Sequence, residues 1–259
     1  MKIMLTGHKG FIGGHMYRSL IDQGHEVTGY EWNDNYPIIT SDIDWVIHIG
    51  AISNTMEQDV DKVMKQNYDF SVDLYEMCRK HNVKFQFSSS ASVYGLNNEF
   101  TETSSVDPKT PYSWSKYMFE RYMVNHPIDT TWQAFRYFNV FGPEGEEHKK
   151  DQASPHFKFK KQATELDHVK IFKHSESYLR DFIHVSDVIK LQQSFFNVKE
   201  SGIFNLGTGK TQSFLDVAKK YSDNIIEIEM PKQMLNSYQK YTCADMKKTM
   251  NILEKAEVE

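Results

Sequence analysis

Apolar residues recur along this chain in short runs, and between the runs they fall at helical spacing. Ile3–Met4–Leu5 is the first run and predicts a buried strand. Phe11, Ile12, Met16, Leu20 and Ile21 follow near a 3.6-residue period, and Gly24 closes that helix. A second strand is expected at Val27–Tyr30, a short third at Pro37–Ile43 and a fourth at Trp45–Ile49. No room is left for a helix between the third and fourth. A long helix is predicted from about Val60 to His81, then a fifth strand at Lys84–Phe87 that runs into serines. The next helix opens after Pro111 and passes Tyr122, and Gln133–Val140 reads as a sixth strand. Ile203–Leu206 is one more buried strand.

Strands alternating with helices predict an α/β fold, a Rossmann-like doubly wound parallel sheet. After Gly142–Pro143 the pattern turns irregular and lysine-rich, as expected of chain leaving the sheet to build a small substrate-binding lobe. The expected division is 1–142, completed by about 177–207, for the dinucleotide domain. The segments 143–176 and 208–259 then form the lobe.

Composition changes this picture little. The chain has 259 residues, 39% apolar and 25% charged, with a net charge of -5. That is ordinary globular composition, and no dense basic run points to nucleic acid. Cys78 and Cys243 lack a metal-like spacing and read as reduced structural thiols. No apolar run approaches the ~18 residues that would span a membrane. The chain opens directly on strand-like residues, so a cytoplasmic protein without a signal peptide is expected.

The chemistry begins at Gly7–x–x–Gly10–x–x–Gly13, placed where the first strand turns into the first helix. Glycines there permit a tight turn and let the backbone approach a pyrophosphate, which the free N–H groups and the helix dipole favour. The expected dinucleotide contacts are Gly7, Lys9, Gly10, Phe11, Ile12 and Gly13, with Glu31 and Trp32 at the end of the second strand. Glu31 stands about 20 residues on, where an acidic side chain binds the adenosine ribose hydroxyls. Its charge repels a 2′-phosphate, which favours NAD, whereas Lys9 offers a 2′-phosphate a partner and keeps NADP open.

Tyr112 and Lys116 stand at i and i+4 on one predicted helix, so they face the same way. A neighbouring ammonium stabilises phenolate and equips the tyrosine as a base. Upstream, Ser88–Ser89–Ser90–Ala91–Ser92–Val93–Tyr94–Gly95 ends a strand at the carboxyl edge, where such sheets bind ligands.

This set resembles the extended short-chain dehydrogenase/reductase family. The resemblance implies a catalytic triad of Ser90, Tyr112 and Lys116, with Ser88 against the cofactor. Dehydratases of that family carry an Asp–Glu pair where this chain has Ala91 and Ser92, which argues against dehydration.

Longer pieces resemble the ADP-L-glycero-D-manno-heptose 6-epimerases: His48–Ala51, Arg136–Pro143, His148–Lys149 with Ala153–Ser154, Arg180–Ile183 and Ser201–Gly209. The resemblance implies Lys149 as a second acid/base for the mirror-related sugar orientation, with Lys150 beside it as the alternative. It further implies cofactor contacts at Asp42, Ile43, Ile49, Gly50, Ala51, Ser53, Asn67, Tyr137 and Val140. Substrate contacts are implied at Ser90, Asn139, Asp151, Phe172, Lys173, His174, Ser175, Arg180 and Tyr238. Arg180 suits a diphosphate because a guanidinium grips phosphate oxygens in two places. The expected enzyme is a nucleotide-sugar epimerase with one tightly held NAD(P) per subunit. Subunits are expected to pair through the helices at Val60–His81 and Tyr112–Val124 as a homo-oligomer.

Against that pattern the helix between the third and fourth strands is missing. Lys150–Asp151 replaces a Gly–Ser, and an acidic run Glu144–Glu147 precedes His148. The rival readings are a UDP-hexose 4-epimerase, a nucleotide-sugar reductase, and a dinucleotide-binding protein without catalysis.

Overall fold

The computed structural model describes residues 1–232 and 238–258; the side chains of residues 150, 151, 257 and 258 lie outside the described part. Six parallel strands form the main sheet: β1 (Lys2–Thr6), β2 (Glu26–Tyr30), β3 (Trp45–His48), β4 (Lys84–Ser90), β5 (Trp132–Tyr137) and β10 (Gly202–Leu206). Their spatial order is β10-β5-β4-β3-β1-β2, so the chain reverses its winding at β1. Ligands bind outside the carboxyl ends of the strands at such a reversal.

Helices cover both faces. On one face α1 (Phe11–Asp22) and α6 (Val185–Ser194) bury Phe11, Met16, Leu20, Val185 and Ile189 against Ile3, Leu5, Trp45 and Ile47. The other face takes α2 (Val60–Val63), a π-helical segment Met64–Asp69, α3 (Phe70–His81) and α4 (Pro111–Asn125). Leu74, Tyr75, Cys78, Phe119 and Met123 pack there on Val46, Phe85 and Phe87. Both faces of a parallel sheet are thus apolar, which explains the near-continuous hydrophobic strand runs.

No strand forms at 37–43. Parallel strands need a crossover of a dozen or more residues between them. Only Asp44 separates Ile43 from Trp45, and Pro37 lacks a ladder donor. The segment instead lies as an extended strap that buries Ile39 and Ile43 in the α3-side core.

The lobe is made by α5 (Pro155–Leu166), α7 (Phe214–Lys219) and small sheets. There β7 (Val169–Phe172) pairs with β12 (Ile225–Ile228), and β8 (Leu179–Arg180) lies between β11 (Gln212–Ser213) and β13 (Tyr241–Thr242). A short pair, β6 (Asn139–Phe141) with β9 (Phe182–His184), joins lobe to sheet. The expected boundary shifts at one place. Helix α8 (Lys247–Val258), within the segment assigned to the lobe, packs on the main sheet instead: Leu253 shares a core cluster with Phe135 and Phe204. No helix among the described residues is long and apolar enough to cross a membrane.

Candidate active site

The glycine turn between β1 and α1 is built as an anion cradle. Gly7 has φ +73°, in the left-handed region that glycine adopts freely. A Cβ on Gly13 would lie 2.0 Å from the Gly7 carbonyl oxygen, and one on Gly7 would lie 2.6 Å from the Gly50 Cα. Side chains are excluded because backbone already fills the space. Helix α1 starts from Gly10 without a side-chain cap, leaving its first N–H groups for a ligand. Beside the turn lies a cavity of about 140 Å³ lined by Thr6, Gly7, Tyr30, Glu31, Trp32, Gly50, Ala51, Ile52, Gln66 and Phe70. These features fit a dinucleotide. The sequence did not single out Thr6, Tyr30, Gln66 or Phe70, whose only signal is proximity to the ends of β1 and β2 and to Asn67.

Glu31 lies at that cavity, with its carboxylate accepting from the Lys9 backbone N–H at 2.6 Å. The Lys9 ammonium is exposed. Asp42 and Ile43 are not brought here. Asp42 precedes β3 and therefore sits at the amino edge of the sheet, opposite the binding edge. There it accepts hydrogen bonds from Lys2 and Thr40, which hold its carboxyl down to about 2. Ile43 is a core residue.

Asn67 does not line the cavity but bonds to Ile52, which does. Its side chain accepts from the Ile52 N–H at 2.8 Å and donates to the Ile52 carbonyl at 3.0 Å and to Ser115 Oγ at 3.1 Å. It is 1% exposed and lies in the π-helical segment, whose wider turn is a frequent mark of functional sites. A buried polar chain continues through Ser71, whose Oγ is 2.8 Å from His48 Nε2, to Thr6, whose Oγ1 is 2.6 Å from His48 Nδ1. Burial pushes His48 down to about 3, so the imidazole is neutral. Of the loop after β3, Ile49 packs toward the α1-side core and Ser53 is exposed.

Tyr112 owes its position to the start of α4. Thr110 caps that helix: its Oγ1 accepts from the Ser113 N–H at 3.1 Å, while Ser113 Oγ accepts from the Thr110 N–H at 3.0 Å. Pro111 supplies the first helical residue without a wasted donor. Tyr112 and Lys116 then share a face, with the ammonium 5.8 Å from the Tyr112 ring centre. Lys116 is 3% exposed, donates to the Ser88 carbonyl at 2.7 Å and lies 4.5 Å over the Phe87 ring. Burial pushes its ammonium down to about 7 and outweighs the opposing pull of Glu120. Burial also raises the Tyr112 phenol, and a hydrogen bond with the Ser90 side chain works the other way. Ser90 ends β4 and accepts from the Ser92 N–H at 3.1 Å. Ser88 donates at 2.8 Å to Tyr137, which in turn donates to Gln192. Ser90, Tyr112, Lys116, Ser88 and Tyr137 are thus brought together.

Under this group sits a pair the sequence reading did not identify. Arg136 makes two bonds to Glu120, 2.9 Å and 2.6 Å, and Ser89 donates to the same carboxylate at 2.5 Å. Glu120 is wholly buried and Arg136 is 2% exposed. Its signal was the carboxylate four residues beyond Lys116 on the helix.

Lys149 comes from the short 3-10 turn Glu147–Gln152 and lies 4.4 Å over the ring of Phe11, the first residue of α1. Its ammonium is 3.9 Å from Glu146. Burial lowers its affinity for a proton while Glu146 opposes the change. Glu146 is fully buried and accepts from the Ser154 N–H and Oγ, both at 2.7 Å. The side chains of Lys150 and Asp151 lie outside the described residues. Ile12 and Val140 each pack against both the α1-side core and the core around Phe204 of β10, and the Asn139 N–H donates to the Asp181 carbonyl at 3.0 Å.

In the lobe Arg180 is ringed by aromatics. Its guanidinium lies 5.4 Å from the Phe214 ring and 5.3 Å from that of Tyr238, and Phe172 meets Tyr238 edge-on at 6.2 Å. Arg180 donates to the Leu179 and Gln239 carbonyls, and burial lowers it to about 10. It makes no ion pair with Asp181, whose carboxylate is taken up by Thr208, Gly209 and Ala244. Lys173 and His174 are not brought to this group. Lys173 is exposed and paired with Glu229, and His174 is exposed beside Glu176. Ser175 holds the turn by donating to the Phe172 carbonyl. No cluster of metal-binding side chains occurs among the described residues.

The profile of the NAD dependent epimerase/dehydratase family matches residues 3–207. The ADP-L-glycero-D-manno-heptose-6-epimerase of Brachyspira hyodysenteriae (strain ATCC 49526 / WA1) is 35% identical over 286 aligned positions, spanning 95% of this chain and 90% of that protein. Among solved structures, the Helicobacter pylori ADP-L-glycero-D-manno-heptose-6-epimerase superposes with a TM-score of 0.84 at 24% identity, over 98% of this chain and 90% of that one. A UDP-N-acetylglucosamine 4-epimerase from Methanobrevibacter ruminantium M1 gives 0.87 at 23% identity, over 97% and 91%. Those two structures establish a shared fold.

Proposed function

The chain belongs to the NAD dependent epimerase/dehydratase family, and from this premise we propose that it is a nucleotide-sugar epimerase inverting carbon 6 of an ADP-glycero-manno-heptose. The observation that carries the choice of carbon 6 is Lys149: a second desolvated acid/base, seated over the first residue of α1 and separate from the Tyr112–Lys116 pair. Similarity to the Brachyspira enzyme supports the sugar.

A nicotinamide held at the glycine turn would supply the hydride acceptor and donor for carbon 6, with the ketone reduced on its other face. Tyr112 holds and releases the hydroxyl proton in one sugar orientation. Ser90 hydrogen-bonds the same oxygen as it gains and loses carbonyl character. Lys116 steadies the Tyr112 phenolate by charge and reaches the nicotinamide ribose. Lys149 moves the proton in the mirror-related orientation, and its desolvation makes proton release near neutrality less costly. Gly7, Gly10, Phe11, Ile12 and Gly13 would hold the pyrophosphate, and Glu31 would bind the adenosine ribose and favour NAD over NADP. Asn139 and the Arg180–Tyr238 aromatic group hold the ADP-sugar. In this reading residues 1–142 with about 177–207 carry the dinucleotide, and 143–176 with the segment from 208 to β13 carries the sugar nucleotide. Exposed Val60 on α2 and Trp114, Met118 and Val124 on α4 support pairing of two copies through these helices.

The test is an NMR assay with ADP-D-glycero-D-manno-heptose in deuterated water. Inversion at carbon 6 without deuterium uptake is the expected result. Turnover of a UDP-hexose with no action on the heptose overturns the assignment.

A further inference from the structure

His8, inside the glycine turn, is spent on neither the pyrophosphate cradle nor the catalytic group. Its ring is lodged over Gly29 of β2, where a Cβ would lie 2.5 Å from the imidazole. That packing aims Nδ1 at the end of β2. It stands 3.3 Å from Glu31 Oε1 but forms no hydrogen bond with it or with any other described residue, and both side chains are partly buried, 19% and 28% exposed. Glu31 thus meets the Lys9 N–H and the His8 imidazole through Oε1 and also lines the cavity. The other titratable groups described at this contact are Tyr17 of α1, whose ring is 5.6 Å from that of His8, the neighbouring Lys9, and Asp34, which accepts from the Glu31 N–H.

We propose that His8 is a specificity-determining residue: its protonation decides whether Glu31 rejects a phosphate on the adenosine 2′-oxygen. The inference rests on the reading that Glu31 faces the adenosine ribose. Imidazole is the side chain that changes charge near neutrality. With His8 neutral, the Glu31 charge meets a 2′-phosphate uncompensated, and at ~4 Å two like charges repel strongly in a partly buried site. With His8 protonated, the imidazolium cancels that charge, and the exposed Lys9 ammonium leaves the pocket attractive to a phosphate anion. Selectivity for NAD is therefore strict while His8 is neutral and relaxed once it is protonated.

The test is dialysis of the purified enzyme to equilibrium against equimolar NAD+ and NADP+ at pH 5.5 and 8.5, followed by chromatography of the nucleotides it retains. The phosphate itself titrates near ~6, so wild type is compared with His8→Gln, which keeps the ring's size and polarity but not its charge. The retained NADP-to-NAD ratio is expected to rise on acidification about fivefold more in wild type than in His8→Gln. Glu31→Gln should retain more NADP at both pH values and lose the excess pH response. Equal pH response in wild type and His8→Gln overturns the proposal. A Glu31→Gln protein that keeps the wild-type response also overturns it, since His8 would then act without Glu31. Failure of wild type to retain either nucleotide removes the underlying dinucleotide reading and the proposal with it.

Discussion

The Lys149 ammonium stands 3.9 Å from a Glu146 carboxylate that is wholly buried and already accepts two hydrogen bonds from Ser154. Glu146 therefore serves two purposes: it ties the 3-10 turn to the start of α5, and it holds a proton on Lys149 against the effect of burial.

Glu146→Gln keeps an acceptor for Ser154 but removes the charge that favours the Lys149 ammonium. The limb of the pH–kcat profile belonging to Lys149 is expected to move down by about one unit. An unmoved profile with reduced stability would mean that Glu146 is only structural.

Lys149→Met and Tyr112→Phe should each lower kcat by about 10²–10⁴, the range of one acid/base group. Dinucleotide retention should stay at the wild-type level. Lys150→Met should leave turnover intact. Loss of activity in Lys150→Met but not in Lys149→Met would reassign the second acid/base.

Lys116 tests the sign of a burial effect. Its folded-state pKa is lowered to about 7, whereas an unfolded lysine titrates near 10.5. The folded state thus binds fewer protons than the unfolded one between pH 7 and 10.5, and the destabilisation is largest below pH 7 and fades as pH rises. Lys116→Met should therefore stabilise the cofactor-free protein by about 1–3 kcal/mol at pH 6.5 and by little at pH 10, in urea unfolding, while abolishing turnover. A gain that did not change with pH would be simple repacking.

Glu120→Ala removes one partner of a buried pair and should cost about 3–5 kcal/mol by leaving Arg136 unpaired in the sheet. The double substitution Glu120→Leu with Arg136→Met should recover most of that loss. Additive losses would show that the two side chains act independently.

Much of the site was legible along the chain because the chemistry is local. Gly7–Gly13 is a turn whose atoms all come from one segment, and Tyr112–Lys116 is one face of one helix. Their spacing implies their geometry. The sheet was legible for a similar reason: strands buried on both faces must read as apolar runs, and helices between them must show a 3.6-residue period.

Contacts between segments far apart in sequence came from folding alone. The family resemblance misplaced Asp42, because the missing crossover puts that residue at the amino edge of the sheet, beside Lys2. It also enrolled Lys173 and His174, whose charges face solvent and acidic neighbours while Phe172 and Arg180 turn toward Tyr238. The Glu146 anchor and the His8–Glu31 contact have no signature in spacing, and spacing marks Glu120 without its partner Arg136. Each depends on burial and on a partner brought in by packing of whole elements, and a side chain's charge state and free lone pairs are fixed only once that packing exists. The sequence by itself determined the fold class, the dinucleotide turn and the Tyr–Lys pair; the folded chain decided which charges surround them.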